Sequence, residues 1–253
     1  MTETALAEFY RGEYRRVIQG QEAPTQKDTW AQIGRARHLL SFVETRIPKV
    51  RAHLDIGAAL GELLMVFKQR YGCRSVGIEP SQAYRLEAQA RGLRVVRNLT
   101  DLRPEADGPF DLITLAHVLE HLPDPIRYLR SLREGWLSPD GHLLVETPSL
   151  YGHPCLEMAH TVAFSPATLV AALQASGLEP EQTRSHGRPY SRLLRLFVTV
   201  LARPVGARPP RGIGRTSPSM ILLRRRIGMM ALRSARRLAR LVLRKEQLAP
   251  WNK

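Results

Sequence analysis

Cysteine is nearly absent: Cys73 and Cys155 are the two in 253 residues, and their spacing is not that of a framework. A disulfide-stapled scaffold is excluded, and a reducing compartment is the natural setting. No run of about 18 apolar residues occurs, so no membrane-spanning helix is expected. The start, Met1-Thr2-Glu3 with Glu8 close behind, has no basic stretch leading into an apolar one. No signal peptide is therefore expected, and the cytoplasm is the expected location. The last scarcity is local. Residues 204–253 hold one acid, Glu246, against thirteen Arg and Lys, and so carry +12 of the net +15. The remaining 203 residues are close to charge balance, as an ordinary globular domain is.

What is present is alternation. Residues 1–50 read as a helical cap or lid. Phe9, Tyr10, Tyr14, Val17 and Ile18 make one apolar stripe, and Trp30, Ile33, Leu40, Val43 and Ile47 resume at helical spacing after Gly20. Tyr10, Tyr14 and Trp30 are candidates to line a pocket beneath it. Residues 51–203 switch between strand and helix, with strands expected at 52–56, 75–79, 93–97, 111–116, 142–147, 178–184 and 193–202. Strands that read as continuous apolar runs between helices mean a parallel sheet covered on both faces. Residues 185–192 are too few for a crossover helix, so the last two strands are expected to pair antiparallel. The expected fold is α/β, a doubly wound, mostly parallel seven-stranded sheet closed by an antiparallel hairpin. A Pro/Gly/Arg linker at 204–219 and a basic amphipathic tail at 220–253 follow it.

The chemistry centres on Asp55-Ile56-Gly57-Ala58-Ala59-Leu60-Gly61, where a buried strand turns tightly into a helix. Gly57 and Gly61 stand where a side chain would block the turn or a ligand. The N–H groups of the turn and the helix N-terminus are expected to hold an anionic or polar group. Glu79, 22 residues after Gly57, ends the second strand, where a carboxylate can accept both hydroxyl hydrogens of a ribose. A dinucleotide oxidoreductase would share this geometry. So would another class of enzyme.

The alternating acid-x-Gly-x-Ala-x-Gly of residues 55–61 resembles the first motif of class I S-adenosylmethionine-dependent methyltransferases. Gly108-Pro109-Phe110-Asp111-Leu112-Ile113 and His117-Val118-Leu119-Glu120-His121-Leu122-Pro123-Asp124-Pro125 resemble that family's fourth-strand region. Leu137-Ser138-Pro139-Asp140-Gly141 and the strand after it, with His160, Phe164, Leu169 and Gly177, resemble its later segments, in the small-molecule and glycan branch. The resemblance implies a Rossmann-like fold and S-adenosyl-L-methionine as cofactor. It implies that Asp55, Gly57, Ala58 and Gly61 face the methionine part and that Glu79 binds the ribose. Asn98 and Leu99 would border adenine, and Ala116 and His117 would lie beneath the sulfonium.

For transfer to a hydroxyl, a histidine is the natural general base, and His121 and His160 are the candidates. His117-x-x-Glu120-His121 also matches a zinc-peptidase pattern, set aside because it follows a buried strand at a nucleotide crevice. In the ubiquinone-type O-methyltransferases that this stretch resembles, two Glu and one His serve divalent metal binding. Here His117 replaces the first Glu, and no metal is assigned. His153, Cys155, Glu157 and His160 are read as a pocket loop.

In the tail, Met220, Leu223, Ile227, Met230, Ala231, Leu238, Leu241 and Val242 fall within an arc of roughly 120°, with most Arg residues opposite. An anionic membrane surface, engaged through residues 220–245, is the first expected partner. Nucleic acid ranks lower, because Trp251 is the tail's only aromatic residue. The expected function is methylation of a hydroxyl or amine on a small molecule, glycan or lipid-linked precursor. An RNA methyltransferase and a non-catalytic scaffold are the alternatives.

Overall fold

A computed structural model describes residue 20 and residues 23–153, 160–205 and 217–242. The stripe from Phe9 to Ile18, most of the linker, Cys155, Glu157 and the chain's last residues lie outside them. The elements in order are α1 (Gln26–Val43), β1 (Ala52–Ile56), α2 (Glu62–Tyr71), β2 (Arg74–Ile78), α3 (Gln82–Ala90), β3 (Val95–Val96), α4 (Pro104–Asp107), β4 (Phe110–Ala116), α5 (Pro125–Gly135), β5 (Leu137–Pro148), α6 (Pro166–Ala175), β6 (Leu178–His186), β7 (Phe197–Pro204) and α7 (Pro218–Val242).

The seven strands form one sheet in the order β3-β2-β1-β4-β5-β7-β6. β1 to β5 run parallel, and β7 enters antiparallel between β5 and β6. The expected Rossmann-like sheet with its closing hairpin is the sheet observed.

Side-chain alternation builds the two covering layers. Ile113, Leu115, Leu143, Val145, Val198 and Val200 pack with Leu129 and Leu132 of α5 and Leu169 and Leu173 of α6. Their neighbours Leu112, Leu144 and Leu201 pack with Leu39, Phe42 and Val43 of α1 and Leu63 and Phe67 of α2. The described part of the N-terminal cap is thus one of the helical layers on the sheet. Local signals set the helix ends. The Thr25 hydroxyl caps α1 at the Asp28 N–H, Asp124 caps α5 at Arg127 and Ser165 caps α6 at Thr168. Gly177, at φ +76°, ends the last of these.

Three boundaries differ from expectation. β3 is two residues long, an edge pairing only Val95 and Val96 with β2. Residues 138–141, expected as a turn before the fifth strand, are absorbed into β5. Its register on β4 jumps from Phe110–Leu137 to Leu112–His142, so the extra chain loops out. β7 starts at Phe197, because the Ser191 hydroxyl accepts from the N–H groups of Leu193 and Leu194 and leaves Leu193 93% exposed.

Candidate active site

The chain leaves β1 to one side of the sheet and β4 to the other, so the carboxyl ends of these strands open a crevice at the switch point. A cavity of about 910 Å³ occupies it. That is near the upper end of single-ligand sites and has room for two reactants. Asp55, Gly57, Ala58, Glu79, Asn98, Leu99, Ala116, His117, His121 and His160 all line it. Of the residues expected at the cofactor, Gly61 alone does not. A Cβ there would collide with the Leu93 side chain, and φ is +79°, so Gly61 serves the turn and its packing.

The turn after β1 is organised differently from an anion cradle. Gly57 N–H and Ala58 N–H both donate to the Ile78 carbonyl, at 2.8 and 2.9 Å, and Gly61 N–H donates to the Ala58 carbonyl. Ala59 N–H donates to Glu79 Oε2 at 2.9 Å, and Leu60 N–H to Gln32 Oε1 at 3.1 Å. Every N–H from Gly57 to Gly61 is therefore taken by the protein. This corrects the expectation that they await an anionic group. Gly57 remains required, because at φ +79° its Cβ would fall 2.5 Å from Val118 Cγ2.

What this side presents instead is acid. Glu79 is 5% exposed, and its other oxygen accepts from Ser81 N–H at 2.9 Å. Each carboxylate oxygen thus has one backbone donor and a spare lone pair. Asp55 is buried beside it, and Thr114 Oγ1 donates to its Oδ1 at 2.6 Å. With that hydrogen committed, His53 Nε2, 2.9 Å from Thr114 Oγ1, is the donor. Burial holds His53 neutral, its pKa lowered to about 3, and raises Asp55 to about 7. Acids with spare lone pairs suit hydroxyls and a cation better than a pyrophosphate. The residues fit an adenosyl sulfonium.

The β4–β5 side is built from histidines and glutamates. His117 leaves β4 at φ +59°, a strained conformation for a side-chain-bearing residue, with its N–H on the Glu146 carbonyl. Its ring lies between two buried carboxylates, with Nε2 3.2 Å from Glu146 Oε1 and Nδ1 3.5 Å from Glu120 Oε1. Burial and the nearby Arg35 push its pKa down, but the two carboxylates outweigh them and the net shift is upward. Glu146 also accepts from Arg35 Nε at 2.9 Å and Thr199 Oγ1 at 3.2 Å, and lies 3.2 Å from His186 Nε2. Although burial opposes ionisation, these partners hold its carboxyl well below the usual range. This node ties α1 to β5, β6 and β7. Sequence reading missed it, although an acid within the apolar run 143–147 is a usable signal.

His121 and His160 meet edge to face, with ring centroids 4.8 Å apart. With Glu120 they bring donor atoms within 4.8 Å of one another. The two histidines are the expected base candidates, and Glu120 is the member that the sequence does not assign to them. Glu120 is 2% exposed, and neither of its oxygens has a hydrogen-bond partner among the described residues. His153 also lines the cavity, kept neutral by burial with a pKa lowered to about 3. Trp30, expected in the pocket, is 41% exposed and lies against Tyr190 instead. Tyr190 itself is part of the wall, as are Asp28, Ala31, Gln32 and Arg35 of α1.

Comparison with known proteins agrees with this geometry. Residues 29–183 match the family model described as a methyltransferase domain. The chain is 33% identical over 116 residues to the ubiquinone biosynthesis O-methyltransferase of Xanthomonas euvesicatoria pv. vesicatoria, covering 43% of this chain and 48% of that protein. The Marinobacter nauticus protein of the same name is 29% identical over 118 residues, covering 43% and 49%. The chain thus spans about half the length of the curated relatives it matches. Among solved structures, the Burkholderia thailandensis 1,6-didemethyltoxoflavin-N1-methyltransferase, with 1,6-didemethyltoxoflavin and S-adenosylhomocysteine bound, gives a TM-score of 0.62 at 21% identity. It covers 81% of this chain and 92% of that one. Magnesium protoporphyrin IX methyltransferase from Synechocystis PCC 6803, with bound S-adenosylhomocysteine, gives 0.54 at 14% identity, over 81% and 100%. At these identities the structural likeness speaks for the fold. The family model, the acids at the ends of β1 and β2 and the sheet order converge: the chain belongs to the class I S-adenosylmethionine-dependent methyltransferase family, and S-adenosylmethionine is its cofactor.

Proposed function

We propose that the protein methylates a hydroxyl oxygen of a small-molecule acceptor. The observation that carries this reading is the cluster of Glu120, His121 and His160 in the same cavity as Asp55 and Glu79. It puts proton acceptors beside a site for a methyl donor. The partial likeness to O-methyltransferases supports the same choice.

When bound, S-adenosylmethionine supplies a methyl group made electrophilic by a sulfonium. Everything else falls to the chain. Glu79 has a spare lone pair on each oxygen for the ribose hydroxyls, in a position fixed by the N–H groups of Ala59 and Ser81. Asp55, with a pKa raised to about 7, gives up its proton readily when a cation arrives beside it. The walls of α1 and of the β6–β7 connection, with Arg35 and Tyr190, narrow the access of water. A ring nitrogen of His121 or His160 takes the proton of the attacking hydroxyl. The resulting imidazolium is stabilised by Glu120, whose carboxyl the neighbouring His117 holds below the usual range although burial opposes it. Glu120, His121 and His160 are also the groups that would hold a divalent cation, whose contribution there would be to polarise the acceptor oxygen.

The test is methyl transfer from isotopically labelled donor to a small-molecule extract of the source organism. The expected product carries the label on oxygen. His121→Ala and His160→Ala are expected to slow its formation about 10²- to 10⁴-fold while leaving donor affinity nearly unchanged. A label found on nitrogen or carbon defeats the hydroxyl assignment.

A further inference from the structure

The last helix has two faces available for contact and uses one of them on the body. Ile221, Arg225, Gly228, Met229, Leu232 and Ala235 recur every three to four residues and form the docked stripe. Leu232 is 2% exposed and packs on Leu196 and Phe197, with Met229 beside it. Gly228 lies so close to the Tyr151 carbonyl that a Cβ could not fit, and Arg225 donates to the Leu150 carbonyl at 2.5 Å. The apolar arc seen in the sequence is a different one, and it points away. Leu223, Ile227, Met230 and Leu238 are 51, 59, 59 and 60% exposed, and Met220 is 44% exposed. At 100° per residue these five fall within roughly 80°. Arg226, Arg233 and Arg237, all exposed, flank the arc, and α7 holds seven Arg and no acid.

We propose that α7 lies flat on an anionic lipid surface. Leu223, Ile227, Met230 and Leu238 enter the boundary between headgroups and acyl chains, and the flanking arginines meet the headgroup phosphates. No helix of the described residues is long and apolar enough to cross a membrane, so the helix rests on the surface. Charge and shape select this partner. An RNA strand would pair with the arginines but leave the apolar arc in water, and α7 offers no aromatic ring for base stacking. A second copy of the chain would cover the arc only by bringing two acid-free, arginine-rich helices together. The docked stripe adjoins Phe197, which lines the cavity, so contact with the bilayer brings the β5–β7 side of the cavity near it. This binding does not depend on the methyl-transfer reading.

Flotation of the full chain with phosphatidylcholine vesicles, with and without phosphatidylglycerol, tests the proposal. Binding is expected to the anionic vesicles only and to weaken with salt. Ile227→Glu with Met230→Glu, both off the docked stripe, is expected to weaken it at least about thirty-fold without changing thermal unfolding. Ile227→Ser with Met230→Ser, which adds no charge, is expected to weaken flotation at least about tenfold while leaving any binding to polyuridine unchanged. Wild type that stays at the bottom of the gradient overturns the proposal. So does flotation insensitive to the two substitutions, or a dimer in sedimentation that they dissociate.

Discussion

The two sides of the cavity are built on opposite plans. On the β1–β2 side the backbone is closed. Each N–H of the turn from Gly57 to Gly61 has a protein acceptor, and Glu79 staples that turn to Ser81. On the β4–β5 side one buried carboxylate is left with unmet capacity. Both oxygens of Glu120 lack a hydrogen-bond partner among the described residues, while Glu146, on the other side of the His117 ring, is met by Arg35, His117 and His186. A pre-set surface suits a ligand that never varies, and a buried carboxylate with open lone pairs suits one that reacts.

The largest effect expected from breaking this contrast is at Glu146. Glu146→Ala leaves Arg35, His117 and His186 around an empty position, which should cost about 3–5 kcal/mol of stability. Because the folded-state pKa of Glu146 lies below its ordinary value, its contribution is present above that value and is lost as pH falls. Denaturant unfolding of the wild type and the variant should therefore differ most at neutral pH and converge in acid.

Asp55 has the opposite sign. Its folded-state pKa is raised from 3.8 to about 7, so its contribution is fully present below the lower value and is lost as pH rises through the higher. The wild type should lose roughly 2–4 kcal/mol across that window, and Asp55→Asn should flatten the curve. Parallel curves for the two proteins would show that Asp55 ionises normally. Glu79→Ala comes next, with donor affinity falling about a hundredfold as two ribose acceptors are lost. Calorimetry with S-adenosylhomocysteine reads it directly. The His121 and His160 variants should not share that loss, and if they do, the two sides are not separable.

The closed side is the one the sequence displays. A strand that must turn within a few residues needs glycine at fixed spacings, and a carboxylate at the next strand end lies a nearly constant distance away in the chain. Asp55, Gly57 and Glu79 are legible for that reason. Gln32, which occupies the Leu60 N–H, comes from a helix 28 residues earlier, and no local pattern announces it. Arg35 and Glu146 are 111 residues apart and meet only because α1 lies over the sheet. His160 joins Glu120 and His121 across gaps of 40 and 39 residues. In α7 the apolar arc was readable, but the docking stripe was not, since Gly228 and Ala235 carry almost no hydropathy signal.

The smallest expected effect concerns the irregular residue of the turn. Ala59 stands at φ +46°, a conformation that costs an L-residue about 1–2 kcal/mol. Ala59→Gly relieves that strain, but the unfolded chain gains freedom that offsets about 0.5–1 kcal/mol. A net stabilisation below about 1 kcal/mol is therefore expected in denaturant unfolding. Donor affinity should be nearly unchanged, because the N–H that meets Glu79 Oε2 is kept. Its small size makes the variant a sensitive probe of the closed side. If donor binding weakens while stability rises, the strain at Ala59 is holding the turn in its binding geometry, and the backbone on this side is less settled than its hydrogen bonds imply.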